Sequence, residues 1–253
     1  MSQPPITFRR ERSDRPPAAG YEKKLSIVVP YRDRAEHLKQ FVPHLLAYFE
    51  RDKLDRCIEY SIHIVEQHGT GRFNRGKLKN CGFSLTRKYA DYVCFHDIDY
   101  LPIWADYSYC EPPTRLIWHG LIWGENHDKF FGGVVLFTPA AFERINGYSN
   151  EYWGWGFEDT ELLLRMKIAG LDFAKRDGTF LALPHADHRY QADGKPSAEG
   201  TENQRLFLQR RENIGALYPD DGLSSLSYEV ISSANISLNN ATLPHVYHHV
   251  VKI

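Results

Sequence analysis

The chain has no stretch approaching the roughly 18 apolar residues that a membrane-crossing helix needs. Its opening, MSQPPITFRRERSDRPPAAG, carries prolines and charges where a secretory signal needs an apolar centre, so residues 1–24 are read as a flexible lead-in. The four cysteines, Cys57, Cys81, Cys94 and Cys110, show no metal-type pairing, and a cytosolic chain keeps them reduced. No lysine or arginine run stands out, and the formal net charge is −1. That balance argues against nucleic-acid binding by bulk electrostatics and leaves room only for a local basic groove. There is no internal repeat and no linker, so residues 25–253 are read as one domain. Asn235-Ile-Ser and Asn240-Ala-Thr match the glycosylation pattern, and without a secretory signal they are read as chance matches.

What is present suits a soluble globular protein: 253 residues, 42% hydrophobic and 25% charged, enough to bury a real core. KLSIVVPYRDR is a short apolar run ended near a proline and reads as a buried strand. Leu38, Phe41, Val42, Leu45, Leu46 and Phe49 recur at helical spacing, which predicts an amphipathic helix over 34–51 that Pro43 should kink or divide. IEYSIHIVEQ reads as a strand, NRGKLKNCGFSLTRKYA as a helix, and DYVCFHDIDYLP as a strand running out into a loop. This β-α-β-α-β order predicts an α/β fold, a mostly parallel mixed sheet flanked by helices. Further on, FFGGVVLFT reads as a strand, and PAAFERING and EDTELLLRMKIAG as helices closed near Gly147 and Gly170. HADHRYQADGKPSAEGTENQ is polar and aperiodic and predicts a mobile loop, while LSSLSYEVIS and HVYHHVVKI read as late strands.

Three stretches carry chemistry. Asp97 and Asp99 lie two apart where the third strand leaves the sheet, the edge at which open α/β sheets bind ligands. Alternation points the two carboxylates to opposite sides, so one suits a divalent cation and the other a ribose hydroxyl or the loop itself; solvated turn aspartates are the plainer alternative. His185 and His188, three apart after FLALP, are a second metal candidate whose imidazoles suit Mn²⁺ better than Mg²⁺, against a structural role for each ring. In YWGWGFEDTELLLRM, Gly154 and Gly156 free Trp155 to act as a lid or to stack on a sugar face. Glu158, Asp159 and Glu161 then open a helix whose dipole should keep them ionised, and Asp159 becomes a candidate general base, whereas Glu161 is assigned to capping or packing.

With these residues in view, the chain resembles the β-1,4-galactosyltransferase family, glycosyltransferase family 7. VVPYRDRAEHL is similar to its PFRNRxEHL segment, FNRGKLKNCGF to FNRAKLLNVGF and FHDIDYLP to FSDVDLIP. FFGGVVLFT is similar to YFGGVSAL, NGYSNEYWGWGFEDTEL to NGFPNNYWGWGGEDDD and DGLSSLSYEV to DGLNSLTYQV, all in the family's order. The resemblance implies a GT-A fold, a Mn²⁺-dependent UDP-sugar donor (Mg²⁺ being the substitute ion) and inverting transfer to a sugar hydroxyl. By position, Pro30, Tyr31, Arg32, Asp33, Arg34, Phe73, Asn74 and Arg75 would line the nucleotide and diphosphate site, together with Asp97 and Ile98. Asp99 would ligate the metal with His185 and His188, where vertebrate members pair methionine and histidine; a different loop length would instead leave His185 as the sole match. Trp155 would touch donor and acceptor, Phe130, Phe157 and Glu158 would frame the acceptor, and Asp159 would be the base. Phe130 stands where a tyrosine is linked to excluding an N-acetyl group, so UDP-galactose is the expected donor, with UDP-N-acetylgalactosamine or UDP-glucose as alternatives. A carbohydrate-binding protein without catalysis is the remaining alternative. The missing anchor departs from Golgi members and implies a cytoplasmic, bacterial-type enzyme, in peripheral contact with the inner face of the membrane, acting on a saccharide or glycolipid acceptor.

Overall fold

The computed structural model describes residues 23–56, 58–116, 119–120, 131–176, 178–185, 190–191, 193–238 and 241–253. Strand β1 (Lys23–Tyr31) begins two residues before the expected boundary and is buried from Leu25 onward, as a strand covered on both faces must be. Helix α1 (Ala35–Arg56) follows. Pro43 does not divide it: the helix runs unbroken for 22 residues, held by Phe41, Leu45 and Phe49, which are fully buried against the sheet. Next come β2 (Ile58–Gln67), α2 (Arg75–Thr86) and β3 (Tyr92–His96), whose five residues are all buried.

The expected loop after β3 is instead a turn that enters β4 (Tyr100–Ala105). Short strands β5 (Thr114–Arg115) and β6 (His119–Gly120) precede β7 (Val134–Phe137). Helix α3 (Pro139–Arg144) is capped by Thr138, with Pro139 in the first turn where its missing N–H costs nothing. Helix α4 (Glu158–Ile168), β8 (Ala174–Lys175) and β9 (Gly178–Ala182) follow. The expected mobile loop is partly a helix, α5 (Ala198–Arg210), because the Ser197 hydroxyl accepts the Gly200 N–H and starts it. The chain closes with β10 (Glu229–Leu238) and β11 (Ala241–Lys252), so the LSSLSY segment before β10 is not strand.

Among the described residues the main sheet has the order β10-β11-β2-β1-β3-β7-β5-β8, and β4, β9 and β6 form a second, smaller sheet. β11, β2, β1 and β3 are parallel neighbours, while β7 joins β3 antiparallel and β10 joins β11 antiparallel. One apolar cluster lies between α1 and the sheet, including Phe41, Phe49, Ile62 and Tyr107. The other gathers α2, α3 and α4 on the opposite face through Leu78, Phe83, Phe142 and Leu162. α2 approaches so closely that a Cβ on Gly82 would lie 2.2 Å from the Val28 side chain. Cys81, Cys94 and Cys110 are buried and free, and Cys57 lies outside the described residues. No described helix is long and apolar enough to cross a membrane.

Gly82→Ala therefore forces helix and sheet apart and should lower stability by about 1–3 kcal/mol in urea unfolding; an unchanged midpoint would refute that packing. A second expectation concerns pH. Burial, followed by the His249 ring, drives the His63 imidazole down to about 3, and burial drives His96 to about 4. The unfolded chain binds these protons near pH 6.5 and the folded one does not, so stability is complete above that value and drains as pH falls towards 4. Between pH 7.5 and 5 the loss should reach the order of 1–3 kcal/mol. A urea midpoint that stays flat over this range contradicts it.

Candidate active site

The carboxyl ends of β1, β2 and β3 converge on one edge. Tyr31 closes β1 and is buried, and beyond it Asp33 sits at φ 52, so the chain turns sharply into α1. The Arg32 guanidinium donates to the Gly71 carbonyl at 2.5 Å and lies 5.3 Å above the Phe73 ring. Of residues 30–34, Arg32 is thus the one that reaches the 71–73 stretch. Asn74 is fully buried and acts first as structure: its side chain accepts the Lys77 N–H to cap α2 and donates to the Asn150 carbonyl at 2.8 Å.

Asp97, Ile98 and Asp99 form a turn rather than extended strand, and the two carboxylates still diverge. Asp99 Oδ2 lies 2.8 Å from His185 Nε2. Burial works to raise the Asp99 carboxyl, but the His185 hydrogen bond and charge, with Arg34, bring it below the usual range. One carboxylate oxygen facing one imidazole nitrogen is a donor set that fits Mn²⁺, with further positions taken by diphosphate oxygens and water. His188 and Phe130 lie outside the described residues. Among those described, no three His, Cys, Asp or Glu side chains gather as a complete metal site.

Asp97 turns the other way, into an ionic cluster. Arg75 bridges three carboxylates: Nη1 to Asp97 Oδ2 at 2.6 Å, Nε to Glu158 Oε1 at 2.9 Å, and Nη2 to Asp159 Oδ2. The Arg75 guanidinium is therefore taken up by the three acids. Lys79, one helical turn further along α2, approaches Asp97 and Asp159 as well. Burial raises the Asp97 and Glu158 carboxyls despite Arg75. At Asp159 burial also pushes upward, but Arg75, Lys79 and the Tyr148 hydroxyl outweigh it and hold the group below the usual range. The expectation that the helix dipole lowers these carboxyls holds in direction for Asp159 and not for Glu158. Cationic side chains fix Asp159, and Glu158 moves the opposite way because nothing offsets its burial fully.

Glu161 has the structural role assigned to it. It is fully buried, accepts from Tyr152 at 2.7 Å and pairs with Arg165 and Arg210, which both also reach Asp221. Above this base lies the tryptophan turn. Gly154 (φ 85) donates its N–H to the Phe73 carbonyl at 2.7 Å, and any Cβ there would strike Glu199. Asn203 on α5 donates to the Trp153 and Trp155 carbonyls at 3.2 and 3.0 Å. Trp155 remains 42% exposed beside Gly200, and Phe157, in the left-handed region at φ 73, packs its ring tilted against Phe207. Trp155 is thus presented to solvent from a backbone that is pinned on two sides. Lys79, Tyr148 and Asn203 escaped sequence reasoning. Only Lys79 left a signal, its four-residue spacing from Arg75 on one helix face.

Comparison with known proteins follows this geometry. The family model described as the N-terminal region of glycosyl transferase group 7 matches residues 6–111, and that described as the N-terminal domain of galactosyltransferase matches residues 123–189. β-1,4-Galactosyltransferase 7 of Drosophila melanogaster is 32% identical over 216 residues, 82% of this chain and 63% of that protein. The Homo sapiens protein of the same name is 31% identical over 221 residues, covering 86% and 65%. The chain thus spans a little under two thirds of these curated relatives. The solved catalytic domain of the Drosophila enzyme with xylobiose superposes with a TM-score of 0.73 at 29% identity, covering 91% of this chain and 94% of that one. A mutant of that enzyme, solved with manganese, UDP-Gal and xylobiose, gives 0.74 at 28%. Matched by both group 7 segments in order and by the architecture of a solved member, the chain belongs to the β-1,4-galactosyltransferase family, glycosyltransferase family 7, and has its GT-A fold.

Proposed function

We propose that residues 25–253 form one catalytic domain that transfers galactose from UDP-galactose to a sugar hydroxyl with inversion, forming a β-linkage, β-1,4 in the first instance. The observation that carries this reading is the Asp159 carboxylate, held ionised at the foot of an aromatic turn and joined through Arg75 and Asp97 to the Asp99–His185 pair. The solved Drosophila relative holds manganese, UDP-Gal and xylobiose. By analogy Mn²⁺ is the ion here, and xylobiose is the first acceptor to assay.

Asp159 takes the proton of the acceptor hydroxyl as that oxygen attacks the anomeric carbon. The bond from that carbon to the diphosphate oxygen breaks, and its electron pair leaves with UDP. Asp99 and His185, with His188 as the further candidate, would hold Mn²⁺, which when bound would supply positive charge to the diphosphate. Arg32 and Arg34 add charge from the end of β1. Asp97 orients ribose or donor sugar, with Ile98 beside it. Phe130, Trp155, Phe157 and Glu158 frame the acceptor, Trp155 covering the sugar face. The acceptor class that goes with this reading is the saccharide of a surface polysaccharide or glycolipid.

Three measurements test this. Asp159→Asn should lower turnover by about 10²–10⁴-fold while leaving UDP binding nearly intact, since the base acts only on the acceptor. Near-normal UDP release by that variant removes Asp159 from the role. Chelation of metal should abolish UDP release and Mn²⁺ restore it, and His185→Ala should raise the Mn²⁺ concentration needed for half-maximal turnover. An unchanged metal requirement takes His185 out of the site. UDP-N-acetylgalactosamine and UDP-glucose run as competing donors should be used more slowly than UDP-galactose.

A further inference from the structure

Lys79 is fully buried, which for a lysine is costly unless its charge is matched. Its Nζ lies 3.8 Å from Asp97 Oδ1 and 3.7 Å from Asp159 Oδ1. Those two oxygens are buried and have no hydrogen-bond partner, whereas the Oδ2 atoms of the same carboxylates are held by Arg75. Each carboxylate is therefore gripped from two sides, by a guanidinium at one oxygen and an ammonium near the other. The third neighbour is Tyr148, also fully buried. Lys79 donates to its hydroxyl at 3.4 Å and lies 4.8 Å over its ring, and the same hydroxyl helps to lower the Asp159 carboxyl.

A leucine at 79 and a phenylalanine at 148 would fill this volume with no charge to match, and those are the residues in the motif strings FNRAKLLNVGF and NGFPNNYWGWGGEDDD that the chain resembles. The lysine and the tyrosine depart from the strings together, at positions 69 residues apart in sequence that touch in space. Packing alone gives no reason for such a pair. The two orphaned carboxylate oxygens do.

We propose that Lys79, steadied by the Tyr148 hydroxyl, is a positioning residue for the transfer step, fixing the orientation of the Asp159 carboxylate and tying it to Asp97 on the donor side. The inference rests on the assignment of Asp159 as the base. With Oδ2 on Arg75 and Oδ1 facing Lys79, Asp159 cannot rotate about its terminal bond without leaving a cation, so its remaining lone pairs keep one direction. The charged and titratable groups facing it are Arg75 and Lys79 from α2, Asp97 at the end of β3, Tyr148, and Glu158 on α4. Asp99 and the Cys94 thiol act on this set through Asp97. Of these, Lys79 is the cation whose removal leaves the Arg75 bridge in place.

The test compares Lys79→Met and Tyr148→Phe with the parent protein, using UDP-galactose, Mn²⁺ and xylobiose, and measures kcat, the affinity for UDP, the pH profile of kcat/KM and the thermal midpoint. Lys79→Met should lower kcat by about 10- to 100-fold, less than loss of the base itself, with UDP affinity nearly unchanged. Its acid limb should move to higher pH, because one of the charges that holds the Asp159 proton off has gone. Tyr148→Phe should move kcat and the acid limb in the same directions by less, and it carries the test alone if Lys79→Met does not fold. Variants that melt lower but keep the parent's kcat and acid limb show a purely structural lysine and overturn the proposal. Asp159→Asn is the control that separates the two ideas. If it retains turnover, the base assignment fails; if it loses turnover while Lys79→Met and Tyr148→Phe behave as the parent, only the positioning role fails.

Discussion

The guanidinium of Arg75 joins three carboxylates that arrive from different parts of the chain: Asp97 from the end of β3, and Glu158 and Asp159 from the first turn of α4. Three buried acids this close repel one another and resist ionisation, so the arrangement persists only because cations stand among them. Arg75 therefore acts at once as a packing element and as an electrostatic one. It sets the N-terminus of α2 against that of α4, and it lowers all three carboxyls against their burial. At Asp159 the cations prevail, whereas at Glu158 and Asp97 burial does.

Around this centre the tryptophan turn has a plain physical logic. Bulky rings stand on glycines because the backbone must pass at φ 85 and φ 99, and at Gly154 no side chain fits against Glu199. The turn is tied to Phe73 on one side and to Asn203 of α5 on the other, so one backbone links the proposed donor segment to the helix behind the acceptor side. Beneath it, Glu161, Arg165, Arg210 and Asp221 form a second ionic cluster that docks α5 against α4. Charge thus joins the apolar cluster in ordering this half of the molecule.

Much of the core was legible. The strands β1, β2, β3 and β7 are apolar runs whose burial on both faces leaves little ambiguity, and α1 and α2 announce themselves by periodicity. The misses share a cause. α5 lay inside a polar stretch whose mean composition reads as loop, and only the Ser197 cap distinguishes its start. β4 reads as loop because its partner β9 lies about 80 residues away, a pairing that local pattern does not encode. Pro43 was expected to divide α1, but the buried face of that helix outweighs the missing hydrogen bond.

By itself the sequence determined the parallel α/β core, the placing of Asp97 and Asp99 beyond a strand, and Asp159 in the first turn of a helix behind a glycine-tryptophan turn. Those features follow from local patterns of burial, capping and backbone freedom. Only the tertiary structure decided that Arg75 faces the acids, that Lys79 is buried between two of them, and that Asp99 meets His185 while Asp97 does not. Electrostatic partnership depends on distances of a few ångströms between residues far apart in the chain, and no spacing along the sequence fixes those.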